Sequence, residues 1–550
     1  MKEFCWKKST VYQIYPKSFN DTTGNGHGDI QGIIAKLDYL QELEVEVIWL
    51  TPVYPSPQRD NGYDISDYCA IDERYGTMAD FEDLLKAAHA REMKVIMDLV
   101  VNHTSTDHEW FQQAASSRDN PYRDFYIWRN GKGNMPPNNW QSKFGGSAWK
   151  YDSKTKQYYL HLFDETQADL NWENPVLREK IYDMMRFWAE KGIDGFRLDV
   201  INLISKNQDF PDDQTGDGRK FYTDGPKIHD YLKEMNQAIL APYNLITVGE
   251  MSSTTIDNCI KYTNPSSQEL NMTFQFHHLK VDYPNGEKWT KAPFDFLKLK
   301  KILSDWQEGM HAGQGWNALF WCNHDQPRIV SRLGDDKKYH EQSAKMLATV
   351  LHMQQGTPYI YQGEEIGMTN PDFKKIADFR DVESKNAYKM LLEKGMTAQR
   401  AIEILQQKSR DNSRTPMQWS DAAHAGFTTG TPWIGLAENY LEINAKKQMR
   451  SVDSILYYYR RLIQLRKKYD IITYGDYQLL LADHSQIYAF KRQWHEEELL
   501  VVSNFYEETV EIDIDIPAGA EILISNYPVN ANDEGKRVLR PYEAIVYYAK

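Results

Sequence analysis

Eight short apolar runs, separated by stretches of helical periodicity, are the feature that most restricts the fold of this 550-residue chain. The run at 94–100 is almost continuously apolar, which is typical of parallel strands buried on both faces. Between the runs, apolar residues recur at helical spacing, for example over 33–43. The predicted strands cover 11–15, 47–50, 94–100, 194–199, 245–250, 272–276, 317–322 and 357–361. Eight such strand–helix units indicate an α/β fold of the (β/α)8 TIM barrel type.

Two segments depart from this alternation. Residues 103–172 are rich in Trp, Asn, Pro and Gly, and a structureless stretch of that length is unusual inside a compact domain, so we predict an inserted subdomain after strand 3. From about residue 474 the hydrophobic period changes to two, most clearly over 509–516, which indicates an antiparallel β domain. The predicted organisation is a catalytic barrel at 1–102 and 173–473, an insertion at 103–172 and a C-terminal β-sandwich domain at 474–550.

Charge and cysteine content exclude several classes of protein. The net charge is −14, and an acidic surface lacks the basic footprint that a nucleic-acid partner requires. No run approaches the roughly 18 apolar residues that span a membrane, and the N-terminus lacks the apolar core of a signal peptide. The four cysteines are scattered without a C-x-x-C pair, so we expect reduced thiols in a cytoplasmic protein.

Carboxylates at the ends of three predicted strands are the candidate catalytic groups. Asp199 ends strand 4, Glu250 ends strand 5 and Asp325 follows strand 7. Because the catalytic groups of a barrel lie at the C-terminal ends of its strands, we expect these side chains to converge. Glycosidic cleavage needs one ionised carboxylate to attack the anomeric carbon and one protonated carboxyl to release the leaving oxygen. Arg197 shares a face of its strand with Asp199, so we expect it to lower the pKa of Asp199.

Five ordered motifs carry a resemblance to a known family. They are Asp98-x-x-x-Asn-His103, Gly195-Phe-Arg-Leu-Asp-Val200, Gly249-Glu250, Asn323-His-Asp325 and Gln167-Ala-Asp-Leu-Asn171. The first four resemble the signature regions of the α-amylase family, glycoside hydrolase family 13. The fifth resembles a segment of its oligo-1,6-glucosidase subfamily, with Ala168 in place of Pro. The resemblance runs from about residue 8 to the end of the chain, and it implies a retaining double displacement.

The resemblance also implies a role for individual residues. Asp199 would be the nucleophile, Glu250 the acid and base, and Asp325 the group that holds and distorts the sugar. The contacts to the sugar being cleaved would come from Tyr63, His103, Arg197 and His324. Asp60 and Arg414 resemble the pair that grips the terminal glucose in this subfamily, and such a pair implies exo cleavage.

The substrate is restricted by a cluster of lysines. Val200 follows the predicted nucleophile as in family members that act on α-1,6 bonds, but residues 274–282 depart from the acidic segment of those enzymes. Lysines at 280–291 provide the local positive charge that a sugar phosphate would need in an acidic protein. The segment resembles family members that cleave α,α-trehalose 6-phosphate to glucose and glucose 6-phosphate. We therefore expect this disaccharide phosphate as the small-molecule substrate, with Lys280 and Lys288 as its phosphate ligands.

Alternatives remain at the level of the enzyme and of single residues. An oligo-1,6-glucosidase, or a broader α-glucosidase acting on isomaltose-type oligosaccharides, would use the same carboxylates. Lys280 and Lys288 are also typical of solvated surface lysines, and Tyr63 of a packed core tyrosine.

A glycine-rich loop after strand 1 is a candidate metal site. It places Asp21, Thr23, Asn25, His27 and Asp29 at alternate positions, a spacing that suits Ca²⁺. Resemblance to related oligosaccharidases, in which this loop binds calcium, also indicates a structural Ca²⁺ or Mg²⁺. Thr23 is a weak ligand and no bidentate Glu follows, so a plain glycine-rich turn is the alternative. We expect no cofactor in the chemistry, no membrane partner and a monomer.

Overall fold

The centre of the molecule, in a computed structural model that describes residues 5–528 and 538–550, is a sheet of eight parallel strands. The barrel strands, numbered 1 to 8, are Val11–Ile14, Val47–Leu50, Lys94–Leu99, Gly195–Leu198, Ile246–Glu250, Met272–Phe274, Ala318–Phe320 and Thr357–Tyr361. Strand 1 pairs with strands 2 and 8. Strands 6 and 7, at the two ends of the sheet, meet where the Thr273 N–H donates to the Trp316 carbonyl at 3.2 Å. The predicted TIM barrel is confirmed.

Both faces of the barrel sheet are apolar because each face packs against a separate layer. Val11, Trp49 and Ile96 pack together in one cluster, to which the barrel strands contribute alternate residues. The neighbouring residues Tyr12 and Ile48 lie on the opposite face and pack in the large core with the helices. Neighbouring side chains on a strand point to opposite faces, so the near-continuous apolar runs fill both layers.

Helices follow the strands and cover the outside of the barrel. The helix Met78–His89 begins at a capping box formed by Thr77 and Asp80, and it buries Phe81, Leu84, Leu85 and Ala88 on one face. The α-helices of the described residues are Ile30–Ile34, Leu37–Leu43, Met78–His89, Glu109–Ala114, Pro175–Glu190, Ile228–Met235, Ile256–Thr263, Phe296–Ala312, Ile329–Leu333, His340–His352, Val382–Glu393, Ala398–Lys408, Ala445–Gln448, Ile455–Lys468 and Asp470–Tyr474. None of the helices in these ranges is both long and apolar enough to cross a membrane.

The segment between barrel strands 3 and 4 forms two small antiparallel sheets. His103–Ser105 pairs with Gln167–Asp169, so the two ends of the segment are joined next to the end of barrel strand 3. The other sheet has three strands, Trp128–Arg129, Gln157–Leu160 and Trp149–Asp152 in spatial order. The pairing of residues 103–105 with 167–169 anchors the segment at the mouth of the barrel.

The C-terminal part of the chain forms a five-stranded antiparallel sheet. In spatial order its strands are Asp476–Leu480, Ile487–Trp494, Glu497–Asn504, Ala544–Ala549 and Glu521–Ser525. The strand predicted over 509–516 is shorter among the described residues, where only Val510–Glu511 pairs, with Val538–Leu539. Ile512 and Ile514 are nevertheless buried, so the alternation in the sequence reflects burial of every second side chain rather than a continuous ladder of hydrogen bonds.

Candidate active site

One buried guanidinium joins three carboxylates at the mouth of the barrel. Arg197 donates from Nη1 to Asp98 Oδ1 at 2.7 Å and to Asp199 Oδ1 at 2.6 Å, and from Nη2 to Glu250. The register of the parallel strands produces this meeting, since Asp98 on strand 3 and Val248 on strand 5 both lie opposite Arg197 on strand 4. A planar guanidinium with several N–H donors can hold such carboxylates in fixed relative positions.

The two central carboxyl groups differ in acidity. Burial raises the pKa of Asp199 to about 7, against the opposing charge of Arg197. Burial also raises the pKa of Glu250 to about 8, and after the opposing effect of Arg197 the charges of Asp199 and Asp325 raise it further. Asp199 therefore ionises first while Glu250 keeps its proton, which is the division that a nucleophile and an acid require. Arg197 lowers the pKa of Asp199 as predicted, but burial outweighs this effect and the pKa is raised overall.

Aromatic rings form the wall beside these carboxylates. Tyr63 lines the cavity, is only 6% exposed and donates from its hydroxyl to Asp98 Oδ2 at 2.9 Å. Its ring stacks on His324 with a centroid separation of 5.0 Å and an interplanar angle of 6°. His324 Nδ1 in turn lies 2.8 Å from Gln13 Nε2 on strand 1. Tyr63 is thus packed like a core residue and also lines the cavity.

Asp325 lies beside two arginines, Arg414 and Arg410, and Asp60 is paired with Arg410. Arg414 Nη2 donates to Asp325 Oδ1 at 2.6 Å, and Arg410 Nη2 donates to Asp60 Oδ1 at 2.9 Å. In the described part of the chain no ion pair joins Asp60 to Arg414, and Arg410 rather than Arg414 lines the cavity. Asp381 accepts from Arg410 Nη2 at 2.5 Å and lies 3.7 Å from Arg414 Nη1, so it contacts both arginines. The assignment of Asp60 and Arg414 to the terminal glucose stays a prediction, and the arginine that pairs with Asp60 in the structure is Arg410.

Asp325 stays ionised in this setting. Burial opposes its ionisation, but His324 and then the guanidinium groups of Arg410 and Arg414 lower its pKa well below the usual range. A permanently charged carboxylate beside Asp199 and Glu250 suits a group that accepts hydrogen bonds from sugar hydroxyls rather than one that transfers protons.

His103 is held by the insertion and by the loop that carries Tyr63. Its Nε2 lies 3.1 Å from the Tyr63 carbonyl oxygen and 3.2 Å from Gln167 Nε2. Gln167 also donates to Asp60 Oδ2 at 3.1 Å, so it links two of the predicted sugar contacts. Burial lowers the pKa of His103 to about 4, which keeps this imidazole neutral at physiological pH.

Lysines share the cavity with the carboxylates. The cavity measures about 270 Å³ and is lined by Asp199 and Glu250 together with Lys143, Lys280 and Lys288. Lys288 Nζ donates to both carboxylate oxygens of Glu383 at 2.8 Å. Within the described residues no ion pair involves Lys280, whose pKa is lowered by burial and by the charge of Arg219.

The glycine-rich loop after barrel strand 1 is closed by its own hydrogen bonds. Asp21 accepts from three backbone N–H groups of the loop at 2.7–2.9 Å and from the Thr23 hydroxyl at 3.1 Å. Asn25 accepts from the His27 N–H at 2.8 Å, and Asp29 caps the helix that follows. Among residues 5–528 and 538–550, no group of three or more His, Cys, Asp or Glu side chains could hold a metal ion.

Sequence reasoning missed four residues that shape the cavity or its walls, namely Asp98, Gln167, Arg410 and Lys143. Asp98 and Gln167 begin two of the family motifs, so a signal for them existed. Arg410 lies four residues before Arg414 in the same segment, and only the packed structure distinguishes the two. Lys143 lies in the insertion, where neither motif nor periodicity marks it.

Two known protein-domain families together match most of this chain. Residues 13–475 match the model for the alpha amylase catalytic domain, and residues 487–546 match that for the alpha-amylase SusG C-terminal domain. Trehalose-6-phosphate hydrolase of Bacillus subtilis (strain 168) is 63% identical over 98% of this chain and 98% of its own length. Oligo-1,6-glucosidase of Parageobacillus thermoglucosidasius is 54% identical over 100% of this chain and 99% of its own.

Solved structures show the same likeness over the full length. A crystal structure of mutant Bacillus licheniformis trehalose-6-phosphate hydrolase, in complex with PNG, has a TM-score of 0.97 and 63% sequence identity, and the match covers 100% of both chains. The alpha amylase family model matches most of this chain, and the relatives named above share more than half of its residues. The chain therefore belongs to the α-amylase family of glycoside hydrolases.

Proposed function

We propose that this chain is a retaining, exo-acting α-glucoside hydrolase that cleaves α,α-trehalose 6-phosphate to glucose and glucose 6-phosphate. The observation that carries the proposal is that Lys280 and Lys288 line the same cavity as Asp199 and Glu250. An acid–nucleophile pair serves any α-glucoside, whereas lysines beside it favour a substrate that carries an anionic group. The identity to two relatives named as trehalose-6-phosphate hydrolases, from Bacillus subtilis and Bacillus licheniformis, supports the same substrate.

The mechanism follows from the order in which the carboxyl groups ionise. Asp199, as carboxylate, attacks the anomeric carbon of the non-phosphorylated glucose, while Glu250 gives its proton to the glycosidic oxygen. Glucose 6-phosphate leaves and a glucosyl ester forms on Asp199. Glu250, now a carboxylate, takes a proton from water, which attacks the ester and releases glucose with retained configuration. Asp325, Tyr63 and Arg197 position the sugar or the nucleophile and exchange no proton.

Ion pairing distinguishes the residues that would determine the proposed specificity. Asp60 and Arg410 line the cavity together with Asp325 and Tyr63, and we assign to this pair the contact with a single terminal glucose, which makes cleavage exo. Lys280 has no carboxylate partner in the described chain and is therefore the more available phosphate ligand. Lys288 is paired with Glu383, so its charge is partly compensated.

Parallel assays test the proposal. The protein is incubated with trehalose 6-phosphate, trehalose and isomaltose, and both glucose and glucose 6-phosphate are followed. We expect the phosphorylated disaccharide to be cleaved with the highest kcat/KM, giving the two products in equal amounts. Faster cleavage of isomaltose would instead support the second candidate, an oligo-1,6-glucosidase, which is favoured by Val200 and by the identity to the Parageobacillus enzyme.

Four further properties stay predictions. We propose the domain division 1–102 with 173–473, 103–172, and 474–550, a monomeric state and a cytoplasmic location. The fourth is a structural Ca²⁺.

A structural Ca²⁺ at residues 21–29 would compete with N–H donors for Asp21, but carbonyl oxygens of the loop are also suitable ligands. Thermal unfolding with excess Ca²⁺ and with EDTA tests the ion: a higher midpoint with Ca²⁺ supports it, and equal midpoints exclude a stabilising site.

A further inference from the structure

A turn of the insertion places Lys143 over the cavity. The N–H of Ser142 donates to the Gly146 carbonyl at 2.9 Å, and the N–H of Lys143 donates to the Leu162 carbonyl at 2.8 Å, so the backbone on either side of this lysine is fixed. Its side chain reaches to the loop after barrel strand 5, where Nζ donates to Ser252 Oγ at 3.0 Å. Ser252 lies two residues after Glu250. Lys143 therefore connects the insertion directly to the strand end that carries the proposed acid.

The carboxyl groups around Lys143 are already paired with arginines. The cations that act on it are Arg219 and Lys280, and the carboxyl groups are Asp217 and Glu250. Asp217 is already paired with Arg219 at 2.9 Å, and Glu250 with Arg197. The ring of Tyr222 lies 5.6 Å from Nζ and adds no negative charge. In the described part of the chain Lys143 thus makes no ion pair of its own.

A partly buried ammonium group without a counter-ion is unfavourable unless a ligand supplies the charge. Lys143 and Lys280 both line the cavity, as does Ser252, so two ammonium groups and a hydroxyl donor face the same space. Oxygens of a phosphate monoester accept hydrogen bonds from these donor types. Lys288 differs from the other two lysines, because Glu383 accepts from it with both oxygens.

We propose that Lys143, together with Lys280 and the Ser252 hydroxyl, binds the phosphate of the substrate, so that the insertion determines the preference for a phosphorylated glucoside. The inference rests on the proposed function and assigns to it a residue outside the family motifs. It predicts that removing the Lys143 charge weakens use of the phosphorylated substrate while cleavage of an unphosphorylated α-glucoside continues.

The pKa of Lys143 provides a second, independent test, which is the pH dependence of KM. Burial lowers its pKa to about 7, and the charge of Arg219 lowers it in the same direction. A bound phosphate dianion favours the ammonium form, so binding is coupled to uptake of a proton. The KM for the phosphorylated substrate should therefore rise from pH 7 to pH 9 more steeply than the KM for an unphosphorylated one.

The experiment compares Lys143→Met and Lys143→Arg with the wild-type protein on trehalose 6-phosphate and on 4-nitrophenyl α-glucoside. For K143M we expect a loss of about 10–100-fold in kcat/KM on the phosphorylated substrate, as for one charge-assisted hydrogen bond, and a change of about twofold or less on the nitrophenyl glucoside. K143R should keep most of the preference and show a flatter rise in KM above pH 7, because arginine does not titrate there. Lys150→Met, which removes a lysine of the insertion paired with Glu165, is the matched control.

The outcomes separate this inference from the proposed function. A wild-type protein without preference for trehalose 6-phosphate over trehalose overturns the proposed function and the inference with it. A wild-type preference that K143M retains overturns the inference alone. If K143M loses kcat/KM equally on both substrates while its thermal midpoint is unchanged, Lys143 has a general positioning role, and this result would also overturn the inference.

Discussion

The guanidinium of Arg197 lies 2.6 Å from the carboxylate of Asp199, yet burial keeps the pKa of Asp199 above that of an ordinary aspartate, at about 7. Arg197 divides its donors among Asp98, Asp199 and Glu250, so no single carboxylate receives its full charge. The arrangement holds three acidic groups together at the mouth of the barrel, with the nucleophile ionising near neutral pH and the acid above it.

Asp199→Asn should abolish turnover, with a fall in kcat of at least about 10³-fold, because the amide cannot form the glucosyl ester. The native state holds the Asp199 proton more tightly than the unfolded chain does. Protonated Asp199 therefore stabilises the native state below the ordinary pKa of an aspartate. This stabilisation is lost as the pH rises through about 7. The variant should unfold at the same or a higher temperature than wild type at pH 8, as measured by calorimetry. A marked loss of stability at pH 8 would contradict this account.

The pH dependence of kcat/KM on trehalose should be bell-shaped. Activity requires an ionised Asp199 and a protonated Glu250, so the acidic limb should lie near pH 7 and the alkaline limb near pH 8. Glu250→Gln should lose the alkaline limb, and it should retain more activity on 4-nitrophenyl α-glucoside, whose leaving group needs no proton, than on trehalose. An alkaline limb that persists in Glu250→Gln would show that another group is the acid.

Asp98→Asn tests whether the buried carboxylate behind Arg197 positions the nucleophile. We expect kcat to fall by about 10–100-fold with little change in KM, since the Arg197 and Tyr63 side chains lose a charged partner. The charge of Asp98 raises the pKa of Asp199, so its removal should move the acidic limb of the pH profile to lower pH. A loss of activity without that shift would indicate a purely structural role.

Arg410→Met and Lys280→Ala should affect different parts of the substrate. Arg410 pairs with Asp60, so its loss should raise KM for phosphorylated and unphosphorylated α-glucosides alike, by about 10-fold or more. Lys280→Ala should raise KM for trehalose 6-phosphate far more than for trehalose. Steady-state kinetics on both sugars distinguish the two patterns, and an equal effect of Lys280→Ala on both would exclude Lys280 from phosphate binding.

The barrel could be predicted from sequence because strands buried on both faces leave a continuous apolar signature, as at 94–99, and because eight such runs alternate with stretches of helical periodicity. The positions of Asp199 and Glu250 followed from that fold, since strand ends are where barrel side chains converge. Burial depends on the packed structure rather than on neighbours in sequence, which is why the overall rise in the pKa of Asp199 could not be predicted from Arg197 alone.

The side chains that form the walls of the site were harder to predict, because they lie on loops. Arg410 and Arg414 lie in one short segment and both contact Asp381, so only the packed structure shows that Arg410 is the one that meets Asp60. Lys143 comes from an insertion with neither strand nor helix periodicity, and only its contact with Ser252 shows that it reaches the cavity.

Proton NMR of the first products tests the central claim most directly. Trehalose 6-phosphate is mixed with the protein in D2O, and the anomeric signals are recorded before mutarotation proceeds. Retaining hydrolysis through Asp199 predicts that α-glucose appears first, together with an equal amount of glucose 6-phosphate. Initial release of β-glucose would contradict the double displacement, and absence of cleavage would contradict the proposed substrate.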